Sequence, residues 1–281
     1  GVGGGGRVGG GGGGGGRRWV VSGGVRAGAV ELTLEEVRRL GVLDADITLT
    51  RVEVVGSPAT GTVEASLVWA DAIGTALLNA RPIPRYLAFM FAAGVIGGYG
   101  VIDDNSILIV GAMAVSPDLL PITAIGVGIV ARRLGLAGRA LLTLAVGLGV
   151  AALAAALAAF VQDQLDLLPS DFSIEVTGAL GGLTTVSNET IAVALVAGMA
   201  GMLALETRAS SGVGVAISVT TIPAAAYLGV AAGLLETDEA LGALGVLGTN
   251  VSMMVVGAVA TLALQSLLMR RAVARRRSEP E

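Results

Sequence analysis

Residues 107–130 read ILIVGAMAVSPDLLPITAIGVGIV, and this run decides the fold. It is long enough to cross a bilayer, which takes about 20 apolar residues. Its one charge is Asp118, set between Pro117 and Pro121. Further apolar segments lie on either side: Tyr86–Ile102 before it, then Gly138–Val161, Ile191–Leu205, Val213–Leu235 and Leu241–Met269. Composition agrees with a membrane chain. Mean hydropathy is +0.80, and only 14% of residues are charged, against about 25% in soluble domains. The expected fold class is mainly α, a six-helix transmembrane bundle.

The flanks of these segments give an orientation. Arginine-rich short loops face the cytoplasm. Arg81 and Arg85 precede the first segment, and Asp103, Asp104 and Asn105 follow it. Arg132, Arg133 and Arg139 follow the second, and Asp163, Asp166, Asp171 and Glu175 the third. Arg208 follows the fourth, Glu236, Asp238 and Glu239 the fifth, and Arg270, Arg271, Arg275, Arg276 and Arg277 the last. The sign alternates without a break. The reading is a multi-pass protein of the plasma membrane with both termini in the cytoplasm.

The chain divides into four parts. Residues 1–16 are nearly all glycine and are expected to be a flexible leader. Residues 17–80 read as a small cytoplasmic α+β domain, a fragment of the ferredoxin-like kind. Its expected elements are a strand at Arg18–Ser22, a helix at Val30–Leu40, strands at Ile47–Val55 and Thr62–Trp69, and a last helix near Asp71–Asn79. In the first of these helices Thr33 and Glu36 fit a capping box and Gly41 a stop. Residues 86–268 hold the six-helix transmembrane domain, and 269–281 form a basic cytoplasmic tail.

Slid onto itself so that Ser116 falls on Ser218, the chain also places Pro121 on Pro223. Each half then holds three segments. Three is odd, so the second copy lies upside down, as in many secondary transporters. The matching prolines mark broken spans, the places where such transporters bind their solute.

Ser116, Pro117, Asp118, Pro121 and Thr123 cluster at one break, and Ser218, Thr220, Thr221 and Pro223 at the other. Asn250 is a polar step in the last segment. Their hydroxyl, carboxylate and carbonyl oxygens suit a hard cation or a solute with donor groups. A carboxylate near mid-membrane costs at least ~2.5–3.5 kcal/mol, so Asp118 is expected to face a cavity or partner. The alternative is that the hydroxyls cap kinked helices and bond across the bundle, with Asp118 solvated at an interface. There is no cysteine or histidine, and all 18 basic residues are arginine. No metal centre and no cofactor is expected, and an enzyme is the least favoured class. Nucleic acid is not an expected partner, since no basic stripe carries interleaved aromatics. The expected partners are the bilayer, a small solute or cation, and a second copy in a homo-oligomer.

Ser106–Ile122 (SILIVGAMAVSPDLLPI), Gly198–Tyr227 and the surroundings of Thr249-Asn250 resemble bacterial and archaeal membrane proteins of domain of unknown function 389. The resemblance covers residues 86–268 and implies the membrane topology, not an activity. Asp118 stands where that family has an apolar residue, and Leu120 where it has glycine. The expected function is a transporter of a small solute or ion with its site between broken helices 2 and 5. An oligomeric channel and a membrane-anchored sensor or scaffold are the alternatives.

Overall fold

The structure, a computed structural model, describes residues 7–10, 19–22, 30–42, 47, 69–169, 185–207 and 220–278. The chain forms two compact units, Gly1–Asp71 and Ala72–Glu281.

In the first unit, strand β1 (Arg7–Gly10) pairs antiparallel with β2 (Trp19–Ser22), Arg7 opposite Ser22. The leader expected as coil thus contributes a strand. Backbone pairing needs no side chain, so glycine does not prevent it. Helix α1 spans Val30–Arg39 and ends at Gly41, whose φ of 84° is the left-handed cap that glycine adopts freely. Thr33, expected as its N-cap, lies inside the helix. The strands expected at 47–55 and 62–69 fall outside the described residues, apart from Ile47 and Trp69. Trp69 instead opens helix α2 (Trp69–Asn79), most of which belongs to the second unit.

The second unit is all helix among its described residues. It comprises α3 (Pro84–Ile102), α4 (Ser106–Val115), α5 (Leu119–Val130), α6 (Leu134–Gln164), α7 (Asn188–Thr207), α8 (Ile222–Gly233) and α9 (Thr237–Ser278). Three helices, α3, α6 and the Thr237–Leu268 part of α9, are long and apolar enough to cross a membrane. The pair α4 and α5 also passes that test, bent by 54° at its break. Helices α7 and α8 are apolar but shorter. The tail expected after Met269 continues as helix to Ser278.

Helices α5 and α8 form the inner pair. Each packs against both long helices, α6 and α9, while α3 lies on α6 and α8, and α7 on α9 and α5. Swapping the halves, α3 to α7, α5 to α8 and α6 to α9, turns these pairings into one another. The two inner helices end alike, in the way that α3 and α6 also end. Arg133 N–H donates to the Gly128 carbonyl at 2.8 Å, and Glu236 N–H to Ala231 at 2.9 Å. Arg132 and Leu235 before them take left-handed φ of 56° and 64°. This is the Schellman ending with a bulky residue where glycine is usual, and it turns the chain directly into α6 and α9.

On α6 the buried face holds Gly147, Ala151, Ala154 and Ala155 together with Leu144 and Leu148, while Leu142, Leu153, Leu157 and Phe160 are exposed. Large apolar side chains on the outside and small residues at the helix contacts suit helices packed in lipid, where close backbone approach holds a bundle together. Gly94 meets the Ala151 backbone, and Gly98 lies 3.0 Å (as measured to a Cβ built on it) from Ala155 Cα. Gly97 faces Ala226 of α8. These glycines seat α3 against α6 and α8.

Candidate functional site

The site begins with two helix starts. Proline disfavours helix for the residue before it, and Ser116 accordingly takes an extended ψ of 128°, ending α4. The chain re-enters helix at Asp118, the N-cap of α5. Pro121 sits in the first turn of α5, and Pro223 in the first turn of α8 behind its cap Thr221. First-turn amides have no intrahelical acceptor, so proline loses nothing there. The break expected in the span Ile107–Val130 is present, and the prolines take different parts at these helix ends. Pro117 ends one helix, and Pro121 and Pro223 each lie in the first turn of another.

The two starts meet. Thr221 Oγ1 donates to Asp118 Oδ2, and both residues are fully buried (0% exposed). They are 103 residues apart, and the same step carries the first and last residues of α5 onto those of α8. The sequence register that matched Pro121 with Pro223 is one residue shorter. Helix α9 closes the cluster. Asn250 Nδ2 donates to the Thr220 carbonyl at 2.6 Å, and Thr220 Oγ1 to Met254 Sδ at 3.3 Å. From α3, the Tyr86 phenol lies over Gly147, 2.7 Å from the place a Cβ would take, and within electrostatic reach of Asp118. The N-termini of α5 and α8 add the positive ends of their dipoles, which favour a carboxylate between them.

Among the residues singled out from the sequence, Asp118, Thr220, Thr221 and Asn250 come together, with Pro117, Pro121 and Pro223 shaping the backbone around them. Ser116 Oγ turns away to Met90 Sδ at 3.5 Å. Thr123 Oγ1 is spent on its own helix, on the carbonyls of Leu119 and Leu120 at 3.1 and 3.0 Å. Ser218 lies outside the described residues. Thr249 and Ser252 back-bond to Gly245 and Gly248, and of these three neighbours Asn250 is the buried one. In the Asp103-Asp104-Asn105 run, Asn105 caps α4 by accepting from Ile107 and Leu108 N–H, and both aspartates are exposed.

Tyr86 and Met254 were missed in the sequence. Tyr86 opens an apolar segment and reads as an interfacial residue, and a methionine in a span reads as packing. Among the described residues no group of three or more acidic, cysteine or histidine side chains can hold a metal ion. What the cluster offers is one carboxylate with neutral oxygens around it.

Fold and cluster together define a mainly helical protein with bilayer-length apolar helices wrapped around a buried polar centre. The family model described as domain of unknown function (DUF389) matches residues 113–256, and the chain belongs to this family. The matched region includes Asp118, Thr220, Thr221 and Asn250 and begins after Tyr86. No curated protein and no solved structure matches the chain.

Proposed function

We propose that the protein is a multi-pass membrane transporter of a small solute or ion, built from two inverted three-span repeats. Its site lies where α5 and α8 begin. The observation that carries this reading is the Asp118–Thr221 pair: a fully buried carboxylate at the start of α5 meets a fully buried hydroxyl at the start of α8. Further support comes from the swapped helix pairings. The alternating arginine flanks support six spans with both termini cytoplasmic. Transporters with inverted repeats bind their cargo at such discontinuous helices, close to the repeat interface. Full burial of Asp118 favours an occluded site over the continuously wet pore of a channel.

The test is flux in proteoliposomes of purified full-length protein, with sodium, proton and small-solute gradients imposed in turn. A transporter gives protein-dependent uptake that saturates with substrate. Uptake that rises linearly with concentration, together with unitary current steps, would instead establish a channel. No uptake or current under any gradient would leave an anchored sensor or scaffold.

A further inference from the structure

We infer that Arg81-Pro82-Ile83-Pro84-Arg85, together with Arg139 of α6, forms a binding surface for the phosphate headgroup of an anionic phospholipid. The inference rests on the bilayer-spanning part of the reading above and not on transport. Its basis is a stretch of chain held stiffly in full exposure. At one end the buried Ala80 carbonyl accepts from Thr143 Oγ1 of α6 at 3.0 Å. At the other end the buried Tyr86 phenol lies over Gly147, one turn further along α6. Between these ties Pro82 and Pro84 each fix their own φ. Ile83 is held extended, with ψ of 149°, ahead of Pro84, which opens α3. Ile83 N–H donates to the Arg81 carbonyl at 3.0 Å. All of residues 81–85 are exposed.

Charge and polarity name the partner. Arg139, exposed as well, stands one turn before Thr143 on α6, a neighbour on the side where Ala80 is tied. Among the described residues no acidic side chain pairs with Arg81, Arg85 or Arg139. Guanidinium groups recognise phosphate through paired, charge-assisted hydrogen bonds. Apolar side chains are exposed along the same segments: Leu78 is 73% exposed, Ile83 53% and Leu142 64%. A soluble phosphate has no use for them. A phospholipid does, with its phosphate on the arginines and its acyl chains on the apolar side chains. The level in the bundle agrees. Helices α3 and α6 run in the same direction, Gly94 at Ala151 and Gly98 at Ala155. Arg85, in the first turn of α3, therefore lies beside the turn of α6 that holds Thr143, and both apolar helices run on from there. Basic groups at the foot of such helices meet the headgroup layer. On the orientation read from the flanks this is the cytoplasmic leaflet, whose anionic lipids attract arginine.

The experiment is native mass spectrometry of the full-length protein released from nanodiscs of equal phosphatidylglycerol and phosphatidylcholine. The wild type is expected to keep phosphatidylglycerol in preference to phosphatidylcholine. Arg81→Gln and Arg85→Gln should each weaken that retention about fivefold, and the pair about 25-fold. Pro82→Ala with Pro84→Ala keeps every charge and loosens the backbone, so it should lower the preference too. Arg270→Gln with Arg271→Gln removes two charges elsewhere and should leave the preference as in the wild type. Should the double arginine variant fail to fold, the single variants at these exposed positions decide. Equal retention of the two lipids would overturn the inference, as would an unchanged preference in the Arg81 and Arg85 variants or in the proline pair. A loss as large in the Arg270 and Arg271 variant would reduce the surface to diffuse charge and overturn it. Displacement of the lipid by excess inorganic phosphate would mark a plain anion site and overturn it too. Lipid preference without flux would sink the transport reading and leave the lipid site standing. Flux with no lipid preference would do the reverse.

Discussion

Asparagine in place of Asp118 is expected to stop transport and leave the protein folded. The substitution keeps the shape of the side chain, and its amide oxygen still accepts from Thr221 Oγ1, the bond that joins the two helix starts. What it removes is the charge. A buried carboxylate is unfavourable for the fold by several kcal/mol before its partners offset it, so neutralising it should hold or raise the unfolding temperature. A cation or a donor-bearing solute loses its charged partner, worth ~1.5–3 kcal/mol, or roughly a 10–100-fold fall in uptake. Initial uptake rates, read beside size-exclusion and unfolding profiles, check this. Lost flux with unchanged or higher stability separates a working site from interhelical glue, because removing glue lowers stability. Uptake at the wild-type rate in Asp118→Asn would move the site elsewhere. Ser116→Ala and Thr123→Ala should transport like the wild type, since those hydroxyls bond to Met90 and to their own helix.

Leucine at Gly198 is expected to unfold the bundle. A Cβ there would collide with the Met254 carbonyl and stand 2.6 Å from its carbon, so α7 would have to leave α9. Gly94 stands in the same relation to Ala151, with a Cβ 2.7 Å from that carbonyl carbon, and Gly94→Leu should fail in the same way. In both cases the obstacle is backbone, which cannot rotate aside as a side chain does. Overpacking of this kind costs about 1–3 kcal/mol even for small additions, and a whole leucine side chain exceeds that. Gly149 provides the contrast: it lies on α6 with nothing within 4 Å of a built Cβ. Gly149→Ala should be neutral or slightly stabilising, since alanine favours helix over glycine by about 1 kcal/mol. Monodispersity and unfolding temperature in detergent read all three variants.

Apolar helices were legible in the sequence because long apolar runs are local signals, though α7 and α8 are shorter than a span and residues 213–219 of the expected fifth span lie outside the described residues. The expected span Ile107–Val130 appears as α4 and α5, interrupted at the Ser116-Pro117-Asp118 step. The role of each proline was not legible. Proline breaks one helix and starts another by the same chemistry, and which it does depends on where the next turn finds its acceptors. Asp118 and Asn250 stood out because charge and amide are rare in apolar runs. That Thr221, rather than Thr123, meets Asp118 depends on tertiary packing, since both are hydroxyls in equally apolar surroundings. Tyr86 was passed over because an aromatic at the edge of a span is common, and nothing local says that its hydroxyl is buried over Gly147 of α6.

The claim that a substrate reaches the meeting point of the two helix starts is tested most directly at Thr221. The chain has no cysteine, so Thr221→Cys carries a single thiol. In proteoliposomes this thiol should react with a membrane-impermeant methanethiosulfonate reagent added to either side, as a site opening to each side in turn requires. A thiol that stays unreactive from both sides in the folded protein would mean a sealed polar knot, and would contradict a transport site there.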